Sequence, residues 1–339
     1  MTTAPVGAPQ RRDTSPRSTD RSADRRRRPM TASRRANRAG LAFVSPTFIV
    51  VLVVVILPIL WTVLLAFQHA KLVDIQGMGI FGNWSLDNFA QVFDSAGFWS
   101  SLATTLLYTA GATLGSVVLG LIAALALRKP FRGRGLLRAA MLLPYVAPVV
   151  AVAFVWEVAL SPQYGIVNNW GHRLFGWDNP IAFLSTREYQ VDLLGLHFDV
   201  PLALLTVIVF ECWRYFPFAF LFILARLQAV PHGLEEAAMV DGATLTQRFR
   251  HILLPQLMPV IALLCVLRFI MTFNKFDDVY LLTGGGAGTD VAAVRVYDFL
   301  TARYDVGAAA AQALVLAASL MILLGFYFKF FGNKVQEES

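Results

Sequence analysis

The sequence is poor in charge and almost free of cysteine. Of its 339 residues, 15% are charged and 56% are apolar, and its two cysteines, Cys212 and Cys265, both lie within apolar runs. Two cysteines so placed provide neither a disulfide framework nor a zinc motif, and the five histidines are too scattered to form a ligand pair. We therefore expect no metal site, and we expect both cysteines to be small apolar packing residues.

Nucleotide-binding and catalytic motifs are also missing. The glycine-rich segment 284–288 is not followed by the Lys-Ser or Lys-Thr pair that a P-loop needs to hold phosphates. The sequence has no nucleophile elbow and no paired carboxylates of the kind that a soluble active-site cleft uses. These absences predict a chain that is not an enzyme and that binds no cofactor of its own.

What the sequence does contain is long apolar runs. Its mean hydropathy is +0.57, and six runs are long enough to cross a hydrocarbon layer of about 30 Å. They lie at Leu41–Phe67, Ser101–Leu127, Ala139–Leu160, Pro201–Leu227, Gln256–Leu282 and Ala308–Phe331. Helices pair their own backbone polar groups in lipid. The predicted fold class is therefore an all-α membrane protein with six transmembrane helices, in a domain spanning residues 41–331.

The distribution of positive charge predicts the orientation of these helices. Of the 29 Lys and Arg residues, the intervening loops 68–100, 161–200 and 283–307 hold five, whereas 21 lie in segments 1–40, 128–138, 225–255 and 329–339. Cytoplasmic loops carry such an excess of positive charge. We therefore expect both termini in the cytoplasm, together with the segment 235–255.

The first 40 residues differ in composition from the rest. Eleven Arg and three Asp give this segment a net charge of +8, against +7 for the whole chain. Its Arg, Ser, Thr and Pro content predicts a disordered cytoplasmic tail, which fixes topology or contacts anionic lipid. Nucleic-acid binding is disfavoured because no aromatic residues are interleaved with the arginines. Residues 332–339 are predicted to form a short cytoplasmic tail at the other end.

A polar segment between the fourth and fifth runs carries the signals of a helical hairpin at 231–255. They are a proline at a helix start, acidic residues in a first turn, a turn pair and a capping box: Pro231, Glu235, Glu236, Asp241-Gly242, Thr244 and Gln247. Nothing in the physics of a bilayer requires such a hairpin. A separate function for it is therefore expected.

The same segment resembles the Glu-Ala-Ala signature of bacterial ABC importer permeases of the carbohydrate-uptake, maltose/glycerol-phosphate permease-like type. The resemblance covers roughly residues 41–331, and it implies that the first helix of the hairpin is a coupling helix docked in a cleft of an ATPase. The residues assigned to this contact by the resemblance are Glu235, Glu236, Ala237, Ala238, Asp241, Gly242, Ala243, Ile252, Leu254 and Pro255.

The resemblance also implies a set of partners and a cellular location. A second permease subunit, two ATP-binding subunits that hold ATP and Mg²⁺, and an extracytoplasmic solute-binding protein would complete a complex in the bacterial inner membrane. The expected cargo is a sugar, and the alternative is glycerol phosphate or another charged solute. A passive channel and a membrane-bound enzyme are the rivals from other classes, and each leaves the hairpin unexplained.

Charged and aromatic residues within the fourth and fifth runs form a second candidate site. A charge within a membrane costs about 2.5–3.5 kcal/mol on insertion scales, and by resemblance these stretches supply substrate contacts. The set is Glu211, Trp213, Arg214, Tyr215, Phe218, Arg268, Thr272, Asn274, Lys275, Asp277 and Asp278. The competing interpretation is structural: Glu211 pairs with Arg214 on its own helix, Arg268 pairs with an acid on the neighbouring span, and the two aspartates are solvated at the outer mouth.

Overall fold

The computed structural model describes residues 42–73, 84–193 and 196–336, so the predicted tail at 1–40 lies outside the described residues. The described chain is mainly helical. The helices are α1 (Ala42–Ala66), α2 (Asp87–Asp94), α3 (Phe98–Ala126), α4 (Arg134–Met141), α5 (Leu143–Val146), α6 (Val149–Leu160), α7 (Ile166–Phe175), α8 (Leu202–Gln228), α9 (His232–Val240), α10 (Leu245–Phe273), α11 (Asp277–Thr283), α12 (Ala292–Thr301) and α13 (Val306–Gln336). The last helix continues beyond residue 331, where the sequence predicts the domain to end.

Five of these helices, α1, α3, α8, α10 and α13, are long and apolar enough to cross a membrane. The third predicted span is different, because its helix breaks between α5 and α6 and bends there by 95°. The break falls at Ala147 and Pro148, and proline disfavours helical backbone at the residue before it. The described chain therefore has five straight candidate spans, or six if the bent pair crosses as one.

The described residues are mainly helical, consistent with the predicted all-α class, and one loop adds a short β-hairpin that is not among the predicted elements. Strands β1 (Tyr189–Leu193) and β2 (Leu196–Val200) pair antiparallel, with Tyr189 opposite Val200 and Asp192 opposite His197. The strand Tyr-Gln-Val-Asp-Leu alternates polar and apolar residues, which is the period-two pattern of a half-buried strand. This signal lies in the loop 161–200, between two predicted spans.

The described residues divide between two compact units, with the boundary between Ile59 and Leu60. In the first unit the described residues 42–59 are helical and every one of them is exposed. In the second unit a main packing contact joins α3 and α8 along a glycine stripe. Gly111 faces Ile208 and Gly115 faces Cys212, while an added Cβ at Gly120 would lie 2.6 Å from the Cβ of Ala219. The stripe thus permits close helix approach, as the Gly-x3-Gly spacing predicts.

The segment between α11 and α12 is a turn held by an ion pair. Gly284, Gly285 and Gly288 all have positive φ, which explains the glycine-rich sequence without any phosphate-binding role. Arg295 then lies 3.2 Å from Asp290 and donates to Ser95 Oγ at 2.8 Å. Burial raises the pKa of Asp290, and the hydrogen bond from Arg295 opposes that rise.

Candidate functional site: a helical hairpin and a buried ionic cluster

The predicted hairpin is present, with its turn and its cap. Helix α9 follows Pro231 and ends at Asp241, after which Gly242 takes φ +77° and reverses the chain. Gln247 N–H donates to Thr244 Oγ1 at 3.3 Å and Thr244 N–H donates to Gln247 Oε1 at 2.8 Å. This is the capping box that the spacing predicts. Helix α10 then contains a π-helical turn at Phe249–Leu253.

The hairpin presents its signature residues on an open surface. Among the residues of α9 whose burial is described, none is buried, and Glu236 and Ala237 are exposed. Ala238, Ala243, Ile252 and Leu254 are half-buried, whereas Asp241, Gly242 and Pro255 are exposed. Large apolar side chains are exposed beside them, including Val240 at 87% and Leu245 at 70%. Exposed apolar surface is a common feature of protein interaction sites.

Glu235 differs from the rest of the predicted docking set. Both of its carboxylate oxygens accept hydrogen bonds from Arg128, at 2.5 and 2.8 Å. The pair joins the first turn of α9 to the end of α3, across 107 residues of sequence. Local spacing gives no sign of such a distant partner, and Arg128 is absent from the predicted set for that reason.

The charges within α8 and α10 meet in a buried ion pair. Arg268 Nη2 donates to Glu211 Oε1 at 2.8 Å, and the two side chains are 1% and 0% exposed. Thr272 Oγ1 donates to the same oxygen at 3.4 Å, and Arg268 Nε donates to Ser116 Oγ of α3 at 3.4 Å. Glu211 thus pairs with the neighbouring helix rather than with Arg214 on its own helix. Three helices are tied together by this pair.

A second group of charges adjoins the first. Asp278 lies 3.8 Å from Arg214 Nε and 3.4 Å from Lys275 Nζ, and its side chain is 0% exposed. The expectation that Asp278 is solvated at an outer mouth is therefore wrong, because α11 folds back and buries it against α8. Asp277 is 43% exposed and lies 3.1 Å from Lys275. Only this aspartate keeps the predicted contact with solvent.

Tyr215 lies between the two groups. The guanidinium of Arg268 is 4.2 Å from the centre of its ring, and Lys275 Nζ donates to its hydroxyl at 2.5 Å. A ring face offers a cation an attraction worth about 2 kcal/mol when it is desolvated. We name this ionic cluster by its members: Glu211, Arg214, Tyr215, Arg268, Thr272, Lys275 and Asp278.

The ionic cluster retains unused hydrogen-bonding capacity. Glu211 Oε2, both carboxylate oxygens of Asp278, and the Nε and Nη1 atoms of Arg214 have no hydrogen-bond partner among the described residues. Buried polar groups are normally satisfied. The Asp278 oxygens are instead held in ion-pair contacts with Arg214 and Lys275.

The remaining predicted pathway residues lie beside the ionic cluster. Trp213 packs its ring against Trp156 at 5.5 Å, and Phe218 packs against Phe222 at 5.0 Å. Asn274 is exposed, and its side-chain amide donates to the Ile270 carbonyl at 3.0 Å. The structure therefore brings together seven of the eleven predicted residues, and it leaves these three and Asp277 at the margin.

Comparison with known proteins agrees with this architecture. The family model described as "Binding-protein-dependent transport system inner membrane component" matches residues 116–337, which include the hairpin and the ionic cluster.

Two relatives extend the match. The inner membrane ABC transporter permease protein YcjO of Escherichia coli (strain K12) is 39% identical over 238 residues, which are 68% of this chain and 74% of that protein. The trehalose/maltose transport system permease protein MalF of Thermococcus litoralis (strain ATCC 51850 / DSM 5473 / JCM 8560 / NS-C) is 32% identical over 292 residues, or 86% of this chain and 92% of that protein.

One solved structure shares the fold. A chain of a bacterial ABC transporter involved in the import of the acidic polysaccharide alginate superimposes with a TM-score of 0.73. The match covers 89% of this chain and 97% of that chain at 22% identity. At this identity the likeness concerns the fold.

Proposed function

Because the chain belongs to the family of inner membrane components of binding-protein-dependent transport systems, we propose that it forms half of the translocation pathway of an ATP-driven sugar importer. It is a multi-pass inner-membrane ABC permease subunit. We further propose that the chain has six spans and cytoplasmic termini, and that a second permease subunit lies beside it. Two ATPase subunits bind ATP and Mg²⁺, and a solute-binding protein delivers the cargo from outside.

The observation that carries the proposal is the exposed helix α9. Glu236, Ala237 and Asp241 face away from the rest of the chain, and Gly242 together with the Thr244 cap fixes the reversal into α10. A short helix held rigidly at the start of a span transmits a push on its surface directly to that span. This geometry suits a lever moved by a separate ATPase, and it has no use in a passive channel.

Reconstitution with the cognate ATPase and the solute-binding protein tests the docking role. We expect Glu236→Lys to lower the ATP hydrolysis that loaded binding protein stimulates by at least about tenfold, as loss of an interface hot spot does. Arg132→Glu is the matched control, since it reverses an exposed charge on the same predicted side, outside the hairpin. Stimulated hydrolysis that is equal in the two variants would contradict the docking role.

A sugar is the cargo that the ionic cluster favours. Arg268 and Lys275 are already paired with Glu211 and Asp278, so these cations are not free to neutralise a phosphate. Glu211 Oε2 and Arg214 Nη1, which have no hydrogen-bond partner among the described residues, suit hydroxyl groups, and the aromatic rings beside the cluster suit sugar faces. The trehalose/maltose relative, at 32% identity, supports a sugar cargo.

Asn274 offers the cleanest test of substrate contact, because it is exposed and lies at the margin of the ionic cluster. We expect Asn274→Ala to reduce sugar uptake by up to about tenfold, the worth of one hydrogen bond, with normal assembly. Thr301→Ala is the control, since Thr301 also bonds the carbonyl four residues earlier. Loss of assembly in Asn274→Ala, or unchanged uptake, would count against substrate contact.

A further inference from the structure

A basic cavity lies beside the hairpin, at the ends of two predicted spans. It has a volume of about 520 Å³, and it is bordered by the α3–α4 loop, by α4, by the last residues of α8 and by the start of α9. Pockets that hold small molecules have roughly 300–1,000 Å³. The cationic residues that line it are Arg128, Lys129, Arg134 and Arg138.

The cavity has a surplus of positive charge. Within the described part of the chain, Glu235 is the only acidic side chain that lines it, and this carboxylate is fully engaged by Arg128 through two hydrogen bonds. Lys129, Arg134 and Arg138 then remain without an acidic partner in the cavity wall. Three uncompensated cations around one cavity are an anion-binding arrangement.

The arginines of the cavity also have hydrogen-bond donors that they do not use within the described residues. Arg138 uses Nη2 to donate to the Leu127 carbonyl at 2.8 Å, and Arg134 uses Nη1 to donate to the Arg128 carbonyl at 3.0 Å. A guanidinium carries five N–H donors. The Nε atom of Arg138 is shielded from solvent and has no hydrogen-bond partner among the described residues. Planar donors of this kind match the oxygens of a phosphate group.

The surroundings of the cavity suit a membrane surface. Helix α4 exposes Leu136 at 77% and Leu137 at 46%, next to Arg134 and Arg138 on the same helix. Apolar side chains beside arginines are the composition of a helix that lies at the lipid interface. Basic pockets between helices on the cytoplasmic side hold phospholipid headgroups.

We propose that this cavity binds a phosphate-bearing anion through Lys129, Arg134 and Arg138. The shared chemistry is an anionic phosphate group, and the two sources are an anionic phospholipid headgroup and free phosphate. The site rests on the cytoplasmic orientation included in the proposed function, and it does not depend on the identity of the cargo. Its occupant would nevertheless contact the same cavity wall as the Arg128–Glu235 pair that holds the first turn of α9.

Thermal unfolding of the purified full-length chain tests the site. The chain in detergent is titrated separately with phosphatidylglycerol, with phosphatidylcholine of the same acyl length, and with inorganic phosphate, and intrinsic tryptophan fluorescence reports the midpoint. We expect phosphatidylglycerol to raise the midpoint and phosphatidylcholine to leave it unchanged. An equal effect of the two lipids, with no effect of phosphate, would overturn the proposal. Stabilisation by inorganic phosphate as well would support it and would identify free phosphate as a sufficient ligand.

Variants then place the effect in the cavity. Arg138→Gln is expected to weaken the apparent affinity about fivefold, since one basic residue near a lipid surface contributes about that factor. Lys129→Gln, at an exposed side chain, is expected to do the same and remains informative if loss of the Arg138–Leu127 bond disturbs folding. Arg132→Gln is the control, because Arg132 is in the same loop and does not line the cavity. Equal loss of affinity in Arg132→Gln would show a diffuse charge effect and overturn the site.

Discussion

At the scale of single residues, the Glu211–Arg268 pair decides between two roles for intramembrane charge. Both side chains are almost inaccessible, and a buried pair contributes little net stability while each partner is needed to offset the other's burial. The pair therefore has a structural function whatever else it does. Glu211 Oε2 has no hydrogen bond to the described residues, so a role of Glu211 in transport can also be tested.

We expect Glu211→Ala to cost about 3–5 kcal/mol of stability, because Arg268 is left buried without a counter-charge. Replacing both partners by apolar residues of similar volume, as in the double variant Glu211→Leu with Arg268→Met, is expected to restore most of that loss. Thermal unfolding and sugar uptake are measured on the same samples. Restored stability without uptake assigns the pair to transport, and restored uptake assigns it to packing alone.

At the scale of secondary structure elements, the contact between α3 and α8 depends on glycine. An added Cβ at Gly120 would meet the Phe220 backbone nitrogen at 2.7 Å, and backbone cannot rotate away as a side chain does. We expect Gly120→Ala to destabilise the protein by about 1–3 kcal/mol through overpacking.

Gly325 in α13 provides the control for this change. It is also inside a long apolar helix, and nothing lies within 4 Å of its added Cβ. Gly325→Ala is expected to be neutral or to stabilise by about 0.5–1 kcal/mol, since alanine favours helix. Equal thermal midpoints for the Gly120 and Gly325 variants would show that the two helices do not approach closely there.

Local signals explain which elements are predictable from the sequence. Thr244 and Gln247 specify the cap through a three-residue spacing, and the long apolar runs specify the spans. The burial of Asp278 is different, because it depends on α11 packing toward Arg214. No local sequence pattern around Asp278 indicates this packing. The Arg128–Glu235 pair is unpredictable for the same reason.

At the scale of the whole molecule, the charge distribution predicts which loops share a side of the membrane. The loops rich in Lys and Arg include the hairpin, and the β-hairpin lies in a loop that is poor in them. Exposed sites for labelling are available in both: Thr246 at the start of α10, and Glu188 before β1. The two native cysteines give a low background, since Cys212 is buried and Cys265 is partly buried.

We expect a membrane-impermeant maleimide to label Glu188→Cys in intact spheroplasts and to label Thr246→Cys only after the membrane is opened. The physical reason is that positively charged loops are retained in the cytoplasm. The parent chain without an added cysteine is the control for background labelling. Labelling of Thr246→Cys in intact spheroplasts would reverse the predicted orientation.

The ion pair between α8 and α10 also has a consequence for biosynthesis. Its partners are separated by 57 residues, so at about 5–20 residues per second the ribosome delivers Arg268 roughly three to eleven seconds after Glu211. During that interval Glu211 lacks Arg268, and Arg214, three residues further along α8, is the nearest guanidinium in sequence. An 18-residue window of α8 has a mean hydropathy of 1.8, which favours retention of this helix in the membrane. The apolar residues of α8 thus serve the nascent chain before they serve the finished fold.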